Sequence, residues 1–536
     1  MMFSEKPLPD AVDLRHHLSE LAKARSVSPL KGLQKYMDKP GLISLAGGLP
    51  SPQYFPFHSL GAEVLVEDQF PLNPSSHPSS LSWFWKLFGS KPAERTTSVS
   101  VPKFADKTGD IDLATALQYS MAKGLQPLQD FIKKFVENVY QPAYGNYVTL
   151  IHAGNTDGVN KSIMTLCNPG DGVLMSEWTY PSTMATIKPL GVDVVPVGMD
   201  GQGMSAIALE QLLAEWDVEA HGGMARPRVM YTVPIGQNPT GATMGAQRKK
   251  EIYAVCVKYD VVIIEDDPYY FLQQGEYVPK AERVEEDVVV HKDEEKHFVA
   301  SLAPSFLKFD YQGRVIRLET FSKTIAPGSR LGFFTCNPMF AERLERQGET
   351  STQAPCGFGQ SMVASLLLQW QYPGYIRWLR ALRLQYKARR DFFIDCFDEQ
   401  FSMRRSIAAS GAHTGAVVYE GSLKPLRGEK FAASGKTLFS FIPPSSGMFI
   451  WMQLHFDDHP ELATLGTKEL EMKLWTALAE AGVMFGPGAM FSSVNIAEDA
   501  GGPGHFRISF SNAEYDELKK SVEIFQTVIR KFFKDL

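Results

Sequence analysis

Between residues 111 and about 340 the chain alternates short apolar, β-branched runs with helix-length segments of mixed polarity. The runs are Val148–Ile151, Gly172–Met175, Val192–Val197, Arg228–Val233, Val261–Glu265, Val315–Leu318 and Leu331–Cys336. Runs of this kind, spaced by helices, predict a mostly parallel sheet covered on both faces. Beyond Pro373, Leu379, Leu382, Tyr386, Phe393 and Phe397 recur at spacings of three, four or seven. That stripe predicts one long helix with a buried face. The rest mixes strand patterns (Gly447–Leu454, His505–Ser511) with helices near 466–482 and 512–534. The fold class expected is α/β: a large domain with a mostly parallel mixed sheet between helices, plus a smaller α+β domain.

Two segments break the pattern. Residues 71–110 are rich in Ser, Pro and Lys and cannot bury enough apolar surface to fold alone, apart from a Trp83-Phe84-Trp85 and Leu87-Phe88 cluster expected to pack on the body. A charge run interrupts the body at about 275–300 and reads as a solvated insertion. Residues 1–40 form an arm with one short helix, and 41–57 a Gly- and Pro-rich shaped loop. The domains expected are therefore an arm and lid over 1–60 that associates with the small domain, a low-order insertion over 71–110, a large domain over 111–370, and an interdomain helix with the small domain over 371–536.

A length of 536 residues exceeds one simple core and agrees with two large domains. A net charge of −6 supplies no basic field for nucleic acid. No run has membrane-spanning length, Met1–Arg15 has no signal-peptide core, and the ending Lys534-Asp535-Leu536 is no retention or peroxisomal signal. Five scattered cysteines without a Cys-x-x-Cys pair read as reduced thiols, not a disulfide frame or metal site. A cytoplasmic location is expected.

In open α/β sheets, ligands bind outside the carboxyl ends of the strands, so the polar groups there belong together. Val148–Ile151 leads into Gly154-Asn155-Thr156, a helix start whose N–H groups suit a phosphate. Gly172–Met175 leads to Tyr180, placed to stack on a planar ring. Arg228–Val233 runs into Asn238-Pro239-Thr240-Gly241, and Val261–Glu265 into Asp266 and Tyr269. Val315–Leu318 ends at Thr320-Phe321-Ser322-Lys323, with Arg330 soon after. Singly, each is equally an ordinary cap, turn or core aromatic. In this order they are hard to explain as turns.

The ordered set resembles the fold-type-I, class I/II aminotransferases that use pyridoxal 5′-phosphate. It looks closest to the aromatic, 2-aminoadipate and kynurenine branch, with insertions like those of the fungal aromatic enzymes. The strings that carry the likeness are ISLAGGLPSPQYFPF, ALQYS, YTVPIGQNPTGA, IIEDDPYYFLQ, FSKTIAPGSRLGF and FRISFSNA. The resemblance implies that Lys323 forms the Schiff base and relays the proton, and that Asp266 pairs with the ring nitrogen. It implies that Asn238 and Tyr269 hold the phenolic oxygen and that Tyr180 stacks on the ring. Asn155, Thr156, Thr320, Ser322 and Arg330 would hold the phosphate, with Tyr119 reaching the neighbouring site of a homodimer. Arg507 would grip the substrate α-carboxylate, Gly47 and Gly48 would lie over the substrate as part of a mobile lid, and Lys31 would meet the substrate side chain.

Two positions depart from the family pattern: Asn155 and Thr156 stand where serine-type residues are frequent, and Lys31 where an arginine is common. The activity implied is ping-pong transfer of the amino group from an aromatic or related L-amino acid to a 2-oxo acid such as 2-oxoglutarate. Neither nucleic acid nor membrane is an expected partner. A carbon–sulfur β-lyase on the same fold shares every cofactor residue. An aminotransferase-like regulator would need a DNA-binding domain, for which about forty residues ahead of Gly41 are too few.

Overall fold

The computed structural model describes residues 7–28, 39, 41–43, 45–46, 48–74, 94–107, 109–284, 293–409, 411–425, 435–493 and 503–533. Lys31, Gly47 and the Trp83–Phe88 cluster lie outside them.

The first two strands, β1 (Ser59–Leu65) and β2 (Thr96–Pro102), form an antiparallel ribbon. β2 lies inside the segment expected to be a low-order insertion. Its Val99 and Val101 are buried, so this end of the segment earns a place in the structure through alternate apolar residues.

Seven strands make the large sheet: β3 (Val148–His152), β4 (Gly172–Ser176), β5 (Asp193–Val197), β6 (Val229–Thr232), β7 (Val262–Asp266), β8 (Val315–Thr320) and β9 (Gly332–Cys336). Their order is β3-β9-β8-β7-β6-β4-β5. β9 runs antiparallel to both neighbours, and the remaining pairs are parallel. Alternate residues feed two separate cores. Val262 and Ile264 join one with Leu318, while Ile263 joins the other with Met230 and Leu174. This burial on both faces is why the strands read as continuous apolar runs.

Among the helices packed on this sheet are α1 (Gln126–Val139), α2 (Asn155–Leu166) and α3 (Pro181–Ile187). A later helix, α4 (Gly357–Gln400), joins the large sheet to the smaller one and carries the expected stripe. It starts well before Pro373, with Gln371 at φ 57° breaking its path just ahead of that proline. Proline cannot donate to the turn behind it, so the break falls there.

The smaller sheet is antiparallel: β10 (Phe401–Ile407), β11 (Val417–Leu423), β12 (Phe439–Phe441), β13 (Phe449–Leu454), β14 (Gly486–Pro487) and β15 (Gly504–Ser509), ordered β10-β11-β12-β13-β15-β14. Helices α5 (Leu462–Glu480) and α6 (Tyr515–Phe532) cover it.

One expectation about the periphery needs correction. Described arm residues pack on the large sheet's side, not on the smaller sheet. Leu14, Leu18 and Ala22, four apart, enter the core with Val159 and Ile163 of α2, and Ser19 N–H donates to Thr165 O at 2.9 Å. His16 and His17 reach Asp260, which also accepts from Arg314 Nη1 at 2.7 Å. Inside 275–300, Glu294–Ala300 is a helix capped by Asp293, with Phe298 buried, so the charge run is partly a helix surface.

Candidate active site

The carboxyl ends of β4, β6, β7 and β8 open on a cleft of about 490 Å³, whose opposite wall comes from β13 and β15. Each strand end contributes side chains to this cleft. Tyr180 follows β4, Asn238 follows β6, Asp266 ends β7 with Tyr269 behind it, and Thr320, Ser322 and Lys323 leave β8. Asn155, Thr156 and Arg330 close one end, and Arg507 enters from β15.

The turn before α2 is shaped for an anion. Gly154 is its N-cap at φ 90°, and a Cβ there would lie 2.5 Å from Arg330 Nη2. Arg330 sits at φ 48° and donates to Ala153 O and Pro327 O, each at 3.0 Å. This pins the guanidinium beside the unpaired N–H groups of the helix start, where both attract negative charge. Thr320 Oγ1 accepts from Ser322 N–H at 3.1 Å and donates to Ser322 Oγ at 2.9 Å, so the hydroxyl pair is ordered in advance.

Asn155 lines the cleft, but its side chain, expected at the phosphate, is turned towards Asp266. Its Nδ2 donates to Asp266 Oδ1 at 2.6 Å. The sequence shows that Asn155 opens a helix, which places its backbone N–H but leaves its side chain free to turn. The other carboxylate oxygen of Asp266 accepts from Tyr231 OH at 2.8 Å. Tyr231 was not among the expected residues, because a tyrosine inside the apolar strand β6 looks like core packing.

Asp266 is only 6% exposed. Burial raises its carboxyl above the usual range, against the opposing hydrogen bonds of Tyr231 and Asn155 and the positive charge of Arg317. A buried carboxylate in this position favours a cationic partner. Lys323 moves the other way: burial first, then the Arg507 charge, lowers its pKa. Burial also lowers Arg507, whose Nη1 donates to Asn238 Oδ1 at 2.8 Å. The guanidinium lies over the rings of Phe449 and Phe491 at 4.5 and 4.7 Å, with its buried Nε unpartnered. It is oriented by apolar walls, with donor capacity left for a carboxylate.

Behind Asp266, Arg317 is completely buried among Glu265, Asp267 and Glu319 at 3.2, 2.9 and 2.9 Å. Tyr140 and Tyr270 flank its guanidinium at 4.0 and 4.8 Å. Apart from Glu265 and Asp267 in the acidic turn, nothing in the sequence marks this network.

Two expected residues stand apart from the cleft walls. Tyr119 is 63% exposed, and Gly48 has nothing within 4 Å of a built Cβ.

A family model described as Aminotransferase class I and II matches residues 93–525. The chain belongs to that family. It is 32% identical over 530 residues to an aromatic amino acid aminotransferase of Schizosaccharomyces pombe, covering 97% of this chain and 98% of the relative. An L-tyrosine:2-oxoglutarate aminotransferase of Serpula lacrymans is 33% identical, covering 90% and 84%. The crystal structure of the aminotransferase Aro8 from Candida albicans superposes with a TM-score of 0.81 at 32% identity, covering 98% of this chain and 100% of that one. The protein is thus a transaminase of fold type I, and its cofactor is pyridoxal 5′-phosphate. The aminotransferase cleft fits that group: a buried carboxylate for its ring nitrogen, a lysine of lowered pKa for its aldehyde, and an arginine-backed helix start for its phosphate. These relatives carry aminotransferase names, and none is named a lyase.

Proposed function

We propose that the protein moves the amino group of an aromatic L-amino acid to 2-oxoglutarate or a similar 2-oxo acid by a ping-pong mechanism. The observation that carries this reading is the shared cleft of Lys323, Asp266 and Arg507. When bound, pyridoxal 5′-phosphate supplies the aldehyde that captures the amino group and the ring that accepts electrons from the substrate Cα.

Each side chain then has a task. Arg507 binds the α-carboxylate through its fork and sets the face of Cα that is presented. Lys323 Nζ withdraws the Cα proton, which requires an amine that is neutral near working pH, and its lowered pKa supports that role. Asp266 holds a proton at the ring nitrogen, Tyr180 covers a ring face, and Asn238 with Tyr269 holds the phenolic oxygen. Thr156, Thr320, Ser322 and Arg330 anchor the phosphate. Phe449 and Phe491 provide aromatic surface beside Arg507, and the relatives' names support an aromatic donor.

The reading includes a homodimer. Tyr119 is exposed beside other exposed apolar side chains, Leu49 and Tyr54, in a region tied together by Gln118 Nε2 donating to Pro50 O at 2.8 Å. Covering these by a second copy would bring Tyr119 towards the neighbouring phosphate. A cytoplasmic location is part of the reading, supported by five free cysteines, four of them buried. No described helix is long and apolar enough to cross a membrane.

The test is a set of half-reactions without any oxo acid, using Tyr, Phe, Trp, kynurenine, 2-aminoadipate, Glu and Leu singly. Rapid loss of the cofactor's visible absorbance with Tyr and Phe is expected. Reaction with only the dicarboxylic donors would refute the aromatic assignment.

A further inference from the structure

We propose that Asn155 and Tyr231 form a positioning pair that clamps the two oxygens of Asp266 and thereby fixes the charge this carboxylate presents to the cofactor ring. The proposal rests on the transaminase reading above and extends it to two residues with no expected part in the chemistry of the ring.

The geometry is two-sided. Asn155 Nδ2 reaches Oδ1 at 2.6 Å from the first residue of α2, and Tyr231 OH reaches Oδ2 at 2.8 Å from β6. The two donors come from separate elements that pack against β7, so the carboxylate cannot rotate without losing one of them. Both remain donors over the whole working range: an amide does not titrate, and the fully buried Tyr231 hydroxyl is pushed well above its ordinary pKa by burial and then by Asp266. Asn155 Nδ2 also lies 3.4 Å from Leu318 O, which holds the amide on this side of the helix start. An asparagine serving as a phosphate ligand would instead turn towards Arg330.

Two donors favour the ionised carboxylate, which burial alone would disfavour. An anionic Asp266 keeps the proton on the ring nitrogen. A positively charged ring in turn makes the nearby lysine nitrogen release its own proton at lower pH. Removing either donor should let the lysine nitrogen keep its proton to higher pH.

The experiment is a pH titration of the visible absorbance of the protein reconstituted with pyridoxal 5′-phosphate. It compares wild type, Tyr231→Phe, Asn155→Ala, Asp266→Asn, and each of the first two substitutions combined with Asp266→Asn. The midpoint should rise by about one pH unit in Tyr231→Phe and in Asn155→Ala, the loss of one charge-assisted hydrogen bond. Neither substitution should add a shift in the Asp266→Asn background. If Tyr231→Phe fails to fold, Asn155→Ala tests the same clamp from a site next to the cleft. An unchanged midpoint in folded variants that bind cofactor overturns the pair while leaving the transaminase reading intact. Weaker cofactor binding by Asn155→Ala with an unchanged midpoint would make Asn155 a phosphate ligand and also overturn it. A wild-type protein with no such absorbance would remove both readings together.

Discussion

Arg507 Nη1 donates to Asn238 Oδ1 at 2.8 Å, joining a strand of the smaller sheet to the loop after β6 of the large one. In the proposed reading, the residue that would meet the substrate carboxylate is thus aimed by one that would face the cofactor.

Removing that bond should loosen Arg507 without unfolding the protein. A hydrogen bond to a charged group contributes about 1.5–3 kcal/mol. Asn238→Ala is therefore expected to raise KM for the amino donor about 10-fold or more, measured in steady-state assays at saturating oxo acid.

Gly154 supports a second expectation. Its φ of 90° strains any residue with a Cβ, and that atom would meet Arg330 Nη2 at 2.5 Å. Gly154→Ala should weaken pyridoxal 5′-phosphate binding about 5- to 150-fold, a strain of about 1–3 kcal/mol. Equilibrium dialysis of the apoprotein measures it. Lost fold and lost affinity separate by circular dichroism.

Arg317 makes a third case. Replacing it with Met leaves Glu265, Asp267 and Glu319 buried without their cation. Loss of one partner of a buried pair costs about 3–5 kcal/mol, so Arg317→Met should lower the denaturation midpoint sharply. The exposed pair Lys258–Glu210 provides the control: Lys258→Ala should leave the midpoint unchanged.

His413 predicts a pH effect with a definite sign. Burial, and then the His455 charge, lowers its pKa from 6.5 to about 4. The unfolded chain takes up this proton first as pH falls, so stability is present above pH 6.5 and is lost towards the folded value. Between pH 7 and 5 this one group should cost about 2 kcal/mol. His413→Leu should flatten that part of the stability–pH curve, measured by urea denaturation at each pH.

How far the site could be read from sequence follows from where each group sits. Asp266, Asn238 and Lys323 interrupt apolar runs, and a polar residue at a strand end is visible as a break in pattern. Tyr231 causes no break, and its partner Asp266 is 35 residues away, in the neighbouring strand. Asn155 shows the opposite problem: its position at a helix start is legible, whereas the rotation that brings Nδ2 to Asp266 depends on β7. In the fold, the buried strands were plain, but β10 was not. Its Arg404 and Arg405 hide a strand whose pairing with β11 comes from the backbone. The arm misled for a related reason, since Leu14, Leu18 and Ala22 mark an apolar stripe without naming the surface that receives it.

In the proposed reading Lys323 carries the cofactor, and borohydride reduction followed by peptide mass spectrometry tests for that bond. Reduction of the reconstituted protein should leave a pyridoxyl group on the peptide containing Lys323, and Lys323→Ala should yield no such peptide and no transamination. A pyridoxyl group on another lysine, with Lys323→Ala still transaminating at the normal rate, would contradict it.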